Sequence, residues 1–219
     1  MSRTDKRQDW QLGVRDLYSL NFDSFLKAEA YISDLTDNFF RDKSDGPFIK
    51  TRIKSQSSFI EKVQRKIDEK NGDILEFVAG GEHVKNLFFD KKGIGDLIGM
   101  RLIFLRFPDI EDLRTNFVTN FLVRKHGFIG STMNDIKNET SGYKVFHFKL
   151  QFPQKHYKFN LEIQCMGIMQ HLWMEAEHNL LYKQSKSLSA DQINYMKGLY
   201  QHLSSMLQEV ESMLFLPWE

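Results

Sequence analysis

The sequence predicts an α+β (mixed α/β) domain with one central sheet flanked by helices and with further helices at both ends. Three observations lead there. Apolar residues recur at helical spacing in the first forty and the last thirty residues. An apolar run of strand length covers 99–105. Two alternating segments, 143–152 and 157–165, stand either side of a Pro153–His156 turn and read as a hairpin. Helices, strand, helix, hairpin, helices is the order of a one-sheet mixed domain.

Taken in order, residues 1–9 are charged and read as a frayed end. From 10 to 40 the residues Leu17, Leu20, Phe22, Phe25, Leu26, Ala30, Ile32 and Leu35 give a helical stripe, with a break and new N-cap at Asn21-Phe22-Asp23-Ser24. Asp45-Gly46-Pro47 is a turn, and a helix then runs to about residue 70 with Phe59, Val63 and Ile67 as its buried stripe. Residues 74–90 carry no clear signal beyond a short helix near 84–88. Pro108-Asp109 opens a helix to about 121, and 123–142, with its scattered Gly and Asn, reads as a long loop. An amphipathic helix covers 168–183, and Ser189-Ala190-Asp191 starts a last one reaching about 214. Its apolar row (Met196, Leu199, Leu203, Met206, Val210, Met213 and Leu214) suits packing on its own domain or on a partner.

A chain of 219 residues can bury a real core, and nineteen Phe imply that aromatic rings fill it. The net charge is only +1, so any site for a polyanion must arise from local clustering. Cys165 is the single cysteine, which excludes an internal disulfide and fits a reducing compartment. No stretch reads as a signal peptide or approaches membrane-spanning length, so the expectation is a cytoplasmic protein that does not enter a membrane.

Four segments carry candidate chemistry. In Arg52-Ile53-Lys54-Ser55-Gln56-Ser57-Ser58-Phe59-Ile60-Glu61-Lys62, the residues Lys54, Ser58 and Lys62 are spaced i, i+4, i+8 and share a helix face. Two cations and a hydroxyl in line suit a polyphosphate; a solvated basic face is the plainer reading, and Ser58 with Glu61 also reads as a capping box that starts the helix later. Asp96 stands before the 99–105 strand, either as a loop cap or as a ligand for a hard cation. In Leu161-Glu162-Ile163-Gln164-Cys165, Glu162 and Gln164 share one strand face, which needs water, a cation or a ligand in front of it. In Ser141-Gly142-Tyr143-Lys144-Val145-Phe146-His147, Tyr143 and His147 share a face, with the tyrosine either packed or serving as a stacking platform.

In order and near spacing, these segments resemble the synthetase domain of the Rel/Spo alarmone synthetases, especially the short single-domain ones. The matching residues are Arg52, Lys54, Ser58 and Lys62; Asp96 through Arg101; Gly142, Tyr143 and His147; and Glu162 with Gln164. The helix bearing Trp173, Glu177, His178, Tyr182 and Lys183 also matches and looks structural. The resemblance covers about 48–185, which leaves 1–47 as an N-terminal helical extension and 186–219 as a C-terminal helix around one domain. It implies a nucleotidyltransferase-like mixed sheet of four to five strands. It also implies an ATP pyrophosphokinase that moves a pyrophosphate to a ribose 3′-hydroxyl. On that resemblance Arg52, Lys54, Ser58 and Lys62 bind ATP, and Asp96 and Glu162 are catalytic and hold Mg²⁺. Ser141, Tyr143, His147 and Gln164 bind the acceptor.

This chain also departs from the family's pattern. Glu139 stands where the family usually has a lysine for acceptor phosphates, and Met166 where it has an arginine. Lys137 alone remains of the basic loop, with Gly130, Ser131 and Thr132 where an arginine is expected. A carboxylate in place of a cation turns an attraction of about 4 kcal/mol at 4 Å into a repulsion of similar size. GDP or GTP is the favoured acceptor on family frequency. A toxin-type enzyme acting on the tRNA 3′ end, with an antitoxin as its partner, is the alternative, although the near-neutral charge weighs against a large RNA footprint. An inactive nucleotide-binding module is the second alternative, and a homo-oligomer is open. No His-Asp dipeptide occurs, so the hydrolase half of the long relatives is not expected.

Overall fold

The structure is a computed structural model and describes residues 3–69, 96–105, 109–138, 143–153, 159–177 and 189–214. The elements are α1 (Arg3–Phe40), β1 (Phe48–Ile53), α2 (Gln56–Glu69) and β2 (Ile98–Phe104). Next comes α3, which begins as Ile110–Asp112 and continues with π-type winding over Leu113–Lys125. The chain then forms β3 (Ile129–Asn138), β4 (Tyr143–Gln151), β5 (Asn160–Gly167), α4 (Ile168–Glu177) and α5 (Ala190–Leu214). The short helix near 84–88, the 153–156 turn beyond Pro153 and the 178–183 end of the amphipathic helix lie outside the described residues.

The five strands form one sheet in the order β1-β2-β5-β4-β3. All neighbours are antiparallel except β2 and β5, which are parallel. The mixed class and the four-to-five-strand sheet expected from the sequence are therefore what the chain forms. One face of the sheet is apolar and carries Ile98, Met100, Leu102 and Phe104 of β2, Leu161, Ile163 and Cys165 of β5, and Phe146, Phe148 and Leu150 of β4. Against it pack α1, α2 and α3. The expected aromatic core is present: Phe25 meets Phe159 at 4.9 Å, Phe40 meets Phe117 at 5.2 Å and Phe128 meets Phe152 at 5.1 Å between ring centroids.

Several sequence expectations are corrected. Helix α1 starts at Arg3 rather than fraying to residue 9, and it does not break at Asn21. Its buried row is Trp10, Val14, Tyr18, Asn21, Phe25, Ala28, Ile32 and Leu35, in steps of three and four, with Asn21 inside it. The Asn21 amide is satisfied within the helix by donating to the Leu17 carbonyl at 2.8 Å, so it needs no turn. Leu20 and Leu26 face solvent instead. The helix expected straight after residue 47 is preceded by strand β1. Helix α2 begins only at Gln56, where Ser55 Oγ accepts from the Ser58 N–H at 3.3 Å, so Ser55 and not Ser58 is the cap. The expected long loop at 123–142 contains β3, bulged between Ile129 and Thr132 and paired with β4. The positive φ of Gly130 (70°) sits at that bulge.

Tyr18 links the helical layer to the site. Its ring is buried against Phe25 and Phe59, and its hydroxyl donates to the Lys54 carbonyl at 2.6 Å. Burial pushes the Tyr18 phenol above its ordinary pKa, which keeps it a donor. Replacing Tyr18 with Phe keeps the ring and removes this one bond. Urea denaturation is expected to show a loss of about 1 kcal/mol, because the Lys54 carbonyl loses its partner in a partly buried position. An unchanged denaturation midpoint would show that Tyr18 does not hold the β1–α2 link.

Candidate active site

The other sheet face is polar, and the register arranges it in rows. Arg52, Gly99, Glu162 and Lys149 are successive partners across β1, β2, β5 and β4. Next to them run Lys50, Arg101, Gln164, His147 and Asn134. A third row is apolar: Ile103, Val145 and Met166 are buried together beneath Ile168 and Met174 of α4. Helix α4 thus covers one end of the face, and the β1, β2 and β5 members of the two polar rows line a cavity of about 350 Å³.

Asp96 enters this cavity from just before β2 and is held by two ammonium groups. Lys54 Nζ donates to Asp96 Oδ2 at 3.0 Å and Lys62 Nζ to Oδ1 at 2.6 Å. Burial alone would push the Asp96 carboxyl up. The hydrogen bonds and charges of Lys62 and Lys54 outweigh it and hold the group below the usual carboxylate range. The backbone fixes this meeting as well, since the Lys54 N–H donates to the Leu97 carbonyl at 2.8 Å.

Glu162 lines the same cavity. Gln164 Nε2 donates to its Oε1 at 3.0 Å, and His147 Nδ1 stands 3.6 Å from the same oxygen, longer than a hydrogen bond. Burial pushes the Glu162 carboxyl up and the Asp96 charge adds to that, but His147 and Gln164 prevail and lower it. The far side of Gln164 is also occupied: Arg101 Nε donates to Gln164 Oε1 at 3.1 Å. Arg101 in turn donates to Glu175 Oε1 of α4 at 2.6 Å, and Lys50 Nζ lies 3.7 Å from that oxygen.

Gly99 makes room for Arg52. A Cβ at Gly99 would stand 3.3 Å from Arg52 Nε and 3.4 Å from its Cγ, so the glycine lets the arginine side chain pass close to the strand.

The sequence-predicted residues fall out as follows. Asp96, Glu162, Gln164 and Arg52 line one cavity, and Lys54 and Lys62 join it through Asp96. The expected single helical face for Lys54, Ser58 and Lys62 is corrected, because Arg52 is on β1, Lys54 is in the link and only Ser58 and Lys62 are on α2. Ser58 Oγ accepts from Ser55 Oγ at 3.0 Å in the first turn. His147 touches Glu162. Tyr143 opens β4 opposite Asn138, at the same strand parity as His147; its side chain is outside what the structure describes. Ser141, Gly142 and Glu139 lie outside the described residues. Met166, where the resemblance leads one to expect arginine, is buried in the apolar row.

Lys50, Arg101 and Glu175 also line the cavity and were not picked out as site residues. The alternation Phe48/Lys50/Arg52 against Ile49/Thr51/Ile53 is the strand signal that would have found Lys50. Nothing local marks Glu175. Cys165 is fully buried and burial pushes its thiol up, so it is no nucleophile.

Five cations (Lys50, Arg52, Lys54, Lys62 and Arg101) thus surround three carboxylates (Asp96, Glu162 and Glu175), a net-positive pocket in a nearly neutral chain. Among the described residues no group of three or more His, Cys, Asp or Glu could hold a metal alone. Two carboxylates on one cavity do fit Mg²⁺, which takes one or two protein oxygens and completes its shell with phosphates and water. Each Asp96 oxygen also keeps a further lone pair beyond its lysine.

The fold of this mixed five-stranded sheet and its helices is that of the small alarmone synthetases, as superposition shows. The small alarmone synthetase 1 from Bacillus subtilis superposes with a TM-score of 0.59 at 19% identity, over 96% of this chain and 94% of that one. The same protein bound to its product pppGpp gives 0.57 at 16% identity, over 91% and 93%. A GTP pyrophosphokinase family protein from Streptococcus pneumoniae gives 0.60 at 14% identity, over 91% and 89%. A search of curated proteins found no match. The model of the region found in RelA / SpoT proteins matches residues 51–187, and the chain belongs to that family. Among the described residues no helix is long and apolar enough to cross a membrane.

The lowered Asp96 carboxyl sets a pH dependence. Its ion pairs contribute stability that is complete above the unfolded carboxylate value near 3.9 and is lost as pH falls through the lower folded value. Wild type is therefore expected to be more stable than Asp96→Asn at pH 7, with the difference shrinking below about pH 4. Paired denaturant titrations across pH 3–7 check this; a gap that is flat with pH would mean that the lysines do not stabilise the charged form.

Proposed function

We propose that the protein is an ATP pyrophosphokinase that modifies the ribose 3′-hydroxyl of a guanine nucleotide. The observation that carries this reading is the convergence of Arg52, Lys54, Lys62, Asp96 and Glu162 on one cavity of the polar sheet face. Family membership supports it, as does the pppGpp bound by a structure of the same fold.

Arg52, Lys54, Lys62 and Ser58 take the triphosphate, and ATP oxygens replace part of the Asp96 contact at the two ammonium groups. Their work is placement and charge stabilisation, because phosphoryl transfer asks little else of a protein. Asp96 and Glu162 are the residues that would hold Mg²⁺, which supplies charge neutralisation on the phosphates when bound. Glu162, ionised at neutral pH, orients the acceptor 3′-hydroxyl and takes its proton. The O3′–Pβ bond forms and the bond from Pβ to the bridging oxygen of the α-phosphate breaks, with its electron pair leaving on AMP. The products are the 3′-diphosphorylated acceptor and AMP. Tyr143 stacks the acceptor base, and His147 with Ser141 meets its ribose and phosphates.

The tRNA 3′ end is the second reading, favoured by Glu139 and by Gly130, Ser131 and Thr132 standing where the family pattern has an arginine. Incubation with γ-³²P-labelled ATP and either GDP or deacylated tRNA separates the two. Label in the guanine nucleotide is expected; label in tRNA alone would move the protein to the toxin-type class, and label in neither would leave an inactive nucleotide-binding module.

In the productive assay, Asp96→Ala is expected to lower turnover by about a hundredfold or more. Tyr143→Ala is expected to weaken acceptor use roughly tenfold to a hundredfold, the loss of one stacked base at about 1–3 kcal/mol. Steady-state kinetics on both variants check this, and wild-type rates in either would remove that residue from the site.

A further inference from the structure

The five cations of the pocket all stand to one side of Glu162. Lys50, Arg52, Lys54, Lys62 and Arg101 belong to β1, β2, α2 and the link before α2, whereas Glu162 is on β5, the next strand across. Attacking and leaving oxygens lie roughly in line in phosphoryl transfer, so the acceptor comes in opposite the leaving group. With the donor phosphates among those cations, the accepting nucleotide approaches over the half of the polar face that β4 and β3 supply. The two open rows give that half four positions: His147 and Lys149 of β4, and Thr132 and Asn134 of β3. Lys149 is the only lysine or arginine among them.

The register puts Lys149 directly beside Glu162 on one side and Thr132 on the other. Side chains so paired leave the sheet about 4.5–5.5 Å apart, and opposite charges at that spacing can close into an ion pair. Here they do not. The Glu162 carboxylate turns toward Gln164 and His147, and among the described residues no carboxylate pairs with Lys149, whose side chain is exposed. An ammonium group thus stands next to the proposed reacting carboxylate with its charge uncommitted. Residues 130–132, which lack the arginine of the family pattern, end at Thr132, so the cation missing from β3 is replaced one strand away on β4.

We infer that Lys149 binds the phosphate at the 5′ position of the accepting ribose. That phosphate hangs from the ring carbon next to the one bearing the 3′-hydroxyl, which places it within a lysine's reach of Glu162. It is common to GDP, GTP and the terminal nucleotide of a tRNA, and a lysine serves such a group as a point charge. The inference rests on the reading of Glu162 as the group that meets the acceptor 3′-hydroxyl.

Titration of GDP, guanosine and deacylated tRNA into protein saturated with a non-hydrolysable ATP analogue tests it, together with KM values in the transfer assay. The variants are Lys149→Gln, Lys149→Arg and Arg124→Gln, the last a remote exposed cation on α3 that bonds to Asn120. Lys149→Gln is expected to weaken GDP binding roughly tenfold, the usual scale of one charge-assisted contact. Guanosine, which has no phosphate, and KM for ATP should stay within about twofold of wild type. For tRNA, where other backbone contacts share the load, a rise in KM of about threefold is expected. Lys149→Arg should keep most of the affinity and Arg124→Gln all of it.

Equal losses for GDP and guanosine, or a loss in Arg124→Gln as large as in Lys149→Gln, would overturn the inference. A wild type that transfers nothing but binds GDP through Lys149 would end the proposed activity and keep the phosphate contact. A Lys149→Gln enzyme with wild-type affinity and KM for whichever acceptor takes the label would end the contact and keep the activity. A wild type that binds neither GDP nor tRNA would end both.

Discussion

Two ammonium groups crowd one carboxylate at the edge of the sheet, and the arrangement of the pocket follows from that contact. Lys54 and Lys62 come from a strand–helix link and from a helix, and their like charges would drive them apart without Asp96 between them. The carboxylate in turn is only slightly exposed and would be costly to keep charged without them. Each member makes the others tolerable. The backbone bond from Lys54 to Leu97 and the Tyr18 hydroxyl on the Lys54 carbonyl keep this meeting point from drifting. The result is a set of cations already gathered where a chain of phosphates could displace the carboxylate from part of its contact.

Sheet topology does the rest of the placing. The parallel pairing of β2 with β5 sets Gly99 beside Glu162, and thus brings two acids far apart in sequence to one end of the sheet. Alternation then sends Met100, Leu102, Ile163 and Cys165 into the core and leaves Gly99, Arg101, Glu162 and Gln164 on the open face. The polar face stops where Ile103, Val145 and Met166 bury under α4. Met166 is therefore part of that apolar floor, and a charged side chain in its place would have to leave the packing or rearrange it.

Much of this was legible in the residues and some was not. The β2 strand is legible as a short apolar run, and the β4–β5 hairpin and the placement of Glu162 with Gln164 on one face follow from period-two alternation. Strand β1 was lost because its six residues sit at the sheet edge, where alternation is between partly and fully exposed positions instead of core and solvent. Without β1 in view, the i, i+4, i+8 spacing places Lys54 on a helix it does not enter. Strand β3 was lost because its glycine-bearing start and polar sequence mimic a loop, and only pairing with β4 makes it a strand. In α1, an asparagine that reads as a cap lies inside the buried row, because a helix can absorb its amide locally. Glu175 has no sequence signature at all: its place at the cavity is tied to a guanidinium seventy-four residues away.

The order in which the chain builds the pocket has an evolutionary corollary. The cations proposed to grip the donor triphosphate all precede residue 97, whereas most residues proposed for the acceptor are carried by β4 and β5. The two halves meet along the single seam between β2 and β5. Substitutions that retune which molecule receives the group, such as those at 130–139, can therefore accumulate in one stretch of the gene while the opposite bank of the seam stays unaltered. A lineage of this architecture can change its recipient without rebuilding its supply of phosphate.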